Sequence, residues 1–374
     1  MSAQTCDVAI LGAGIVGAAC ARALALTGLR VIILDGHPIG SGATAAGMGH
    51  ITVMDDSEAQ FALTRHSQQL WNDLSEKLPA DVEFVKTGTL WIAADADEMA
   101  AVSWKHAFYQ QRGVATEVLD ANGIEEAEPN LRVGLAGGLR IPGESVIYPP
   151  CAARWLIEQA QLHGATLRCG VEVTRFVSTA LELSDGSSLS AGAILHATGA
   201  GATRLFPQLP VRPRKGHLII TDRYPGWLRH QIVELGYLKS AHGSDRESVA
   251  FNLQPRKTGQ MLLGSSRQFD IHHKEVEPRM LGRMIARGLE YMPGLARLSA
   301  IRAWTGFRAA TPDSLPLIGP ADIQGHLLAT GHEGLGITTS LATAELIVSH
   351  LTGGRSAIAK EPYLPSRFQG GTHG

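Results

Sequence analysis

Apolar positions open the chain in two short unbroken runs, "CDVAIL" and "VIILD", separated by "GAGIVGAACARALALTG". The flanking runs are β-branched and bounded by glycine, which predicts buried strands. The middle segment repeats apolar residues at helical spacing and stops on glycine, which predicts a helix. Further along, "SEAQFALTRHSQQLWNDLSEKL", "ADEMAAVSWKHAFYQQRG", "YPPCAARWLIEQAQLHG" and "EVEPRMLGRMIARGLEYM" carry amphipathic helical spacing, and "GIEEAEPNL" a short helix or turn. "VEFVKTGTLWIAA" predicts a hairpin. Strands are expected around "ATLRCGVEVTRFV" and "LELSDGSSLSAGAILHATGAG", and then in "KGHLIITD", "SVAFNLQP" and "GQMLLGSS". "LATAELIVSHL" reads as the last long helix, directly after the glycine-rich "GHEGLGITTS".

This alternation predicts an α/β fold in two interleaved domains. Residues 1–80, 140–213 and 296–374 would build a nucleotide-binding domain, and residues 81–139 and 214–295 a sheet-rich α+β substrate domain. No repeat, linker or low-complexity segment interrupts them.

The opening unit carries G-x-G-x-x-G in its productive context, between a strand and a helix, with an acid closing the second strand. Gly12 permits the tight turn, Gly14 lets backbone approach a pyrophosphate, and Gly17 lets helix and strand pack closely. Asp35 lies where a carboxylate accepts from a ribose hydroxyl. A second feature points the same way. Gly331, Gly334 and Gly336 precede the last helix, where unpaired N–H groups and a partial positive charge favour an electron-rich ligand.

Bulk properties narrow the function. Net charge is −2 with no block of like charges, which does not indicate a nucleic-acid or anionic-membrane surface. The four cysteines show neither C-x-x-C spacing nor disulfide density, as expected of reduced thiols in a cytoplasmic protein. No secretory signal and no uncharged span long enough for a bilayer is visible, so the expected location is cytoplasmic or peripheral to the inner face of a membrane, not integral. "IHHK" at 271–274 is read as solvent-exposed rather than metal-binding, because neighbouring histidines on a strand face opposite ways.

Taken together, "DVAILGAGIVGAACARALALTG…VIILD", "AILHATGAGA", "GFRAATPDSLPLIGP" and "ATGHEGLGITTSLATAELI" resemble the FAD-dependent amine and amino-acid oxidoreductases related to D-amino-acid oxidase and glycine oxidase. Within them, the chain is most similar to the FAD-carrying β subunits of heteromeric amine dehydrogenases, such as D-hydroxyproline dehydrogenase, opine oxidase and hydrogen cyanide synthase. The resemblance implies an FAD-binding Rossmann-like domain of glutathione-reductase type. It implies cofactor contacts from Gly12, Gly14, Ile15, Val16, Gly17 and Asp35, and from Ser41, Ala43, Thr44, Gly47 and Met48. Val173 would pair with the adenine through its backbone, and Ala197, Thr198 and Gly199 would pass close to the cofactor. Gly331, Gly334, Leu335, Gly336, Ile337 and Thr338 would place a helix start at the pyrimidine edge of the flavin, where charge develops on reduction.

On the substrate side, Arg308 matches the arginine that anchors a carboxylate, a task suited to its planar fork. The tyrosine that often assists falls where this chain has Phe251 and Asn252, so Asn252 is the candidate donor. His50 and His332 are candidate neighbours of the flavin, and His217 lies in a segment expected near it. Glu333 is expected to point away or to pair. No cysteine precedes Thr311 in the position that tethers flavin in monomeric sarcosine oxidases, so the FAD is expected to be noncovalent. The implied reaction is oxidation of an amino acid or secondary amine, best matched by D-hydroxyproline or D-proline, with electrons passed to partner subunits or a dye- or quinone-type acceptor. The alternative is a free-standing, oxygen-using oxidase of glycine oxidase type. A nicotinamide dehydrogenase is disfavoured because no second G-x-G-x-x-G unit is present, and a non-catalytic FAD subunit is disfavoured by Arg308.

Overall fold

The computed structural model describes residues 4–236 and 247–368. Residues 237–246, part of the expected substrate domain, lie outside the described residues. The opening unit forms as the periodicity predicts, with β1 (Gln4–Leu11), α1 (Ile15–Leu26) and β2 (Val31–Asp35). The chain continues through α2 (Ala43–Ala46), β3 (His50–Ile51), α3 (Glu58–Leu74), β4 (Thr89–Ala93), α4 (Ala96–Gln111) and β5 (Glu117–Asp120). Next come α5 (Ala121–Ala127), β6 (Gly137–Ile141), β7 (Ser145–Val146), α6 (Pro149–Leu162), β8 (Thr166–Cys169), β9 (Val173–Val177) and β10 (Ala180–Leu183). The long strands follow as β11 (Ser188–His196), β12 (Arg212–Thr221), β13 (Gln231–Glu234), β14 (Glu247–Pro255) and β15 (Met261–Phe269). Helix α7 (Pro278–Tyr291), β16 (Ala300–Ala310), β17 (Leu317–Pro320), β18 (His326–Thr330) and α8 (Gly336–Thr352) complete the fold.

Two eight-stranded sheets organise these elements. The first runs β17-β18-β11-β1-β2-β8, with β10 and β9 attached beside β11. Its centre is parallel: β1 lies between β11 and β2, with Val8 opposite both Ala193 and Val31. Strands buried on both faces need continuous apolar runs, which "DVAIL" and "VIILD" supply. Ala18, Ala19, Cys20 and Ala21 of α1 are fully buried among α6, α8 and the sheet, and such small side chains let helices approach closely. The second sheet runs β16-β12-β15-β14-β13-β4-β6-β5 and is antiparallel apart from the β13–β4 pair. Strands β3 and β7 form a separate two-stranded ladder.

Three expectations about local structure change. The segment 82–94 is not a hairpin. Val85 makes only a bridge to Val146, and β4 pairs with β6 and β13, so alternation within one segment was satisfied by distant partners. The "IHHK" stretch is not strand but an irregular connection after β15, with His272 and His273 exposed. The last helix starts at Gly336, ahead of "LATAELI". There the Trp71 indole of α3 donates to the Ile337 and Thr338 carbonyls at 3.2 Å each, bracing a turn whose glycine would otherwise disfavour helix. Strand β16 pairs with β12 in the second sheet although it follows residue 296. We propose the interleaved two-domain division of the sequence reading with this strand assigned to the second layer.

Candidate active site

Strand ends of the first sheet meet where glycine is unavoidable. Gly12 has φ +108°, and a Cβ there would lie 2.6 Å from the Ala197 carbonyl oxygen. A Cβ at Gly17 would lie 2.0 Å from the Gly12 carbonyl oxygen, so this glycine closes the helix onto the turn. Gly14 is the N-cap of α1 and has no side-chain cap, while the Ile15 N–H donates to Thr44 Oγ1 at 3.0 Å. The Asp35 carboxylate accepts from the Ala13 N–H at 2.7 Å and the His37 N–H at 2.8 Å, which fixes it at the end of β2.

Between the sheets opens a cleft of about 1190 Å³. Gly12, Gly14, Ile15, Val16 and Asp35 line it, together with Ser41, Ala43, Thr44, Gly47 and Met48. Val173, Ala197, Thr198 and Gly199 reach it from the first sheet, and Gly331, Gly334, Leu335, Gly336 and Ile337 from the approach to α8. His50, Asn252, Arg308 and His332 line it as well. Two expected contacts do not. Gly17 faces the interior of the turn, and Thr338 is a tie: its hydroxyl donates to the His50 carbonyl at 2.8 Å and accepts from the Thr52 N–H at 3.3 Å.

Helix α8 presents its start to this cleft with no side-chain cap and no acid in its first turn. Its leading N–H groups therefore offer donors and the positive end of the helix dipole to whatever the cleft holds. Glu333 does not oppose that field alone, because its carboxylate forms an ion pair with Arg214.

The opposite wall comes from the second sheet. Arg308 stands on β16 opposite Arg214 of β12, and Gly306 stands opposite Gly216. A Cβ at Gly216 would lie 2.5 Å from Arg308 Nη1, so this glycine makes room for the guanidinium, which donates to the Ser266 carbonyl at 3.1 Å. Asn252 lines the cleft with its Oδ1 accepting from the Gln231 side-chain amide, which orients it.

Burial favours the neutral forms of His50, His217 and His332, pushing His50 and His332 down to about 3 and His217 to about 4. His332 Nε2 bonds to Thr343 Oγ1 at 3.0 Å. His217 Nε2 accepts from the Glu277 N–H at 3.2 Å, leaving Nδ1–H to donate to Ser266 Oγ at 3.0 Å.

The sequence reading missed Arg214 and Arg267, both mostly buried cleft residues, and Trp91. The alternation of Arg212, Arg214 and Gly216 along one strand signalled two arginines on one face, but only strand register shows that Arg214 meets Arg308.

A glycine cradle that a side chain would fill, an uncapped helix start and a guanidinium around one cleft are the parts of a dinucleotide-dependent oxidoreductase. The chain belongs to the DAO family of FAD-dependent oxidoreductases, whose family model matches residues 7–350. It is 26% identical to the hydrogen cyanide synthase subunit HcnC of Pseudomonas aeruginosa, over 98% of this chain and 97% of that one. It is 29% identical to a glycine oxidase of the same species, over 96% of this chain and 98% of that one. The crystal structure of glycine oxidase from Geobacillus kaustophilus superposes with a TM-score of 0.88 at 26% identity, covering 97% and 99% of the two chains. The protein is an FAD-dependent amino-acid or amine oxidoreductase, and its fold is that of this family.

Proposed function

We propose that the protein oxidises a carboxylate-bearing amine to its imine, with a cyclic secondary amine such as D-hydroxyproline or D-proline as the leading substrate. The carrying observation is that Arg308 opens into the same cleft as the Gly12–Gly14 turn and the α8 start. The backbone of Gly12, Gly14 and the α8 start would hold FAD noncovalently, and the flavin would supply hydride-accepting chemistry there. None of the four cysteines lines the cleft, in keeping with a noncovalent cofactor.

The chain's own residues bind and orient. Arg308 holds the substrate carboxylate through its fork, with the Ser266 carbonyl fixing one Nη. Asn252 offers its amide to the polar end of the substrate. His50 and His332, kept uncharged by burial, form a wall that favours the neutral amine over the ammonium ion. The start of α8, with no side-chain cap and no acid in its first turn, would offer N–H donors and the positive end of the helix dipole to negative charge on a flavin held there.

Electrons then pass to partner subunits or a quinone-type acceptor. Likeness to a protein described as a synthase subunit supports this reading, and likeness to glycine oxidases supports the free-standing, oxygen-using alternative equally. Among the described residues no helix is long and apolar enough to cross a membrane. A cytoplasmic protein, or one peripheral to the membrane's inner face, is part of the proposal. The test is anaerobic reduction of the bound flavin by D-hydroxyproline, D-proline, sarcosine and glycine, followed by mixing with aerated buffer. Slow reoxidation is expected; rapid reoxidation with stoichiometric hydrogen peroxide would move the protein to the oxidase class.

A further inference from the structure

We propose that the His217–Ser266 pair is a positioning device for the substrate anchor: it fixes the carbonyl that seats Arg308 and so sets how tightly a carboxylate binds. This rests on the reading of Arg308 as the group that holds the substrate carboxylate. Ser266 is fully buried and lies outside the lining of the cleft, so its effect on substrate passes through its neighbours.

The pair sits in a break of the ladder between β12 and β15. Lys215 pairs with Gln268 and Ile219 with Leu263, so residues 216–218 of β12 face residues 264–267 of β15. The extra residue makes a β-bulge, which releases main-chain groups from the ladder and re-aims them. Within it the His217 N–H donates to Ser266 Oγ at 2.9 Å, a side-chain acceptor where the ladder would supply a carbonyl. The Ser266 carbonyl is left for Arg308, whose Nη1 donates to it at 3.1 Å in the space that Gly216 keeps open.

The imidazole locks the same hydroxyl. Its Nε2 accepts from the Glu277 N–H at 3.2 Å, which leaves Nδ1–H to donate to Ser266 Oγ at 3.0 Å. Two N–H groups of one residue therefore occupy both lone pairs of the serine oxygen and fix the side chain. Glu277 closes the arrangement from behind. Its carboxylate accepts from Lys215 Nζ at 2.9 Å and from the Gln268 side-chain amide at 3.0 Å, the pair at the edge of the bulge. Lys215, His217, Ser266 and Gln268 are all fully buried. Burying so many polar groups is costly, and apolar residues would close the same seam at less cost. What the polar arrangement adds is a carbonyl held in one place against the guanidinium.

Ser266→Ala tests this on the holoenzyme, by anaerobic stopped-flow reduction with D-proline and sarcosine. Titration with pyrrole-2-carboxylate, which offers a carboxylate but no oxidisable amine, reads binding alone through the flavin spectrum. Dissociation constants should rise roughly three- to tenfold, as for one lost hydrogen bond, with the limiting reduction rate within about twofold of wild type and flavin content unchanged. In an Arg308→Lys background the same change should add almost nothing, because the seat no longer holds a fork. Ser266→Thr, which keeps the hydroxyl, should restore most of the binding. His217→Asn keeps a donor near the Nδ1 position and should bind pyrrole-2-carboxylate more tightly than His217→Phe, a comparison that survives if Ser266→Ala does not fold. Unchanged dissociation constants in Ser266→Ala, even with a lowered melting temperature, would overturn the proposal while leaving amine oxidation standing. So would a loss that adds in full to that of Arg308→Lys. Wild-type flavin that neither amine reduces would overturn the underlying reading, and this inference with it.

Discussion

Gly216→Ala isolates the seat of Arg308. The added Cβ would fall 2.5 Å from Nη1, whereas ordinary contact begins at 3.4 Å, so the guanidinium must retreat by about 0.9 Å. The obstructing atom is the free end of a flexible side chain, and no left-handed φ burdens the glycine, so the fold should tolerate the change. Alanine in a strand interior even gains roughly 0.5–1 kcal/mol in backbone entropy over glycine. Substrate binding should not tolerate it. Loss of one well-placed contact to a charged partner is worth about 1.5–3 kcal/mol, or roughly 10- to 150-fold. The assay is anaerobic stopped-flow reduction across substrate concentration, alongside flavin content and melting temperature. A raised substrate dissociation constant with unchanged flavin content is expected. Wild-type reduction kinetics in Gly216→Ala would refute the anchoring role of Arg308, and loss of FAD would show that the cofactor, not the substrate, occupies that space.

Gly336→Val should lower the flavin-to-protein absorbance ratio in a folded protein, because even the first added carbon meets His332 Cβ at 3.3 Å at the helix start; full flavin content would remove the role given to that turn. Acid precipitation should release the yellow chromophore into the supernatant, and colour retained in the pellet would mean covalent attachment. Burial pushes the Glu144 carboxyl up to about 7 from its ordinary 4.5, with Thr52 Oγ1 donating to it at 2.6 Å. Below pH 4.5 both folded and unfolded chains hold that proton, so its contribution is fully present; it is lost as the pH rises through 7, at most about 3 kcal/mol. Glu144→Gln should therefore stabilise the protein at pH 8 and not at pH 4.5 in urea unfolding, and a pH-independent difference would refute this.

The part of the cleft lined by Gly12, Gly14 and Asp35 was legible because its information is local. Strand, turn, helix and acid fall within residues 6–35, and each residue type there answers a backbone or packing demand that the spacing alone discloses. The last helix was legible, but its periodic pattern marked it only from "LATAELI"; its start at Gly336 is braced by Trp71, hundreds of positions away. On the wall from the second sheet, Asn252 and Arg308 were legible. Arg214 and Arg267 become neighbours of Arg308 through antiparallel register between β12, β15 and β16, and register is set by pairing that no single segment encodes. The misread hairpin at 82–94 has the same origin, because β4 found its partners in β6 and β13.

The Thr338 hydroxyl bears on how the cofactor enters and leaves. It joins the first turn of α8 to the backbone at His50 and Thr52, while Trp71 grips the same turn from behind. The walls formed by α8 and by the 47–52 segment are thus riveted together at one side chain and cannot part independently. Opening the cleft at this seam means breaking that rivet. Thr338→Val, which keeps the shape and deletes the rivet, converts this seam from a lock into a hinge, and its signature is faster exchange of bound flavin at unaltered equilibrium fold.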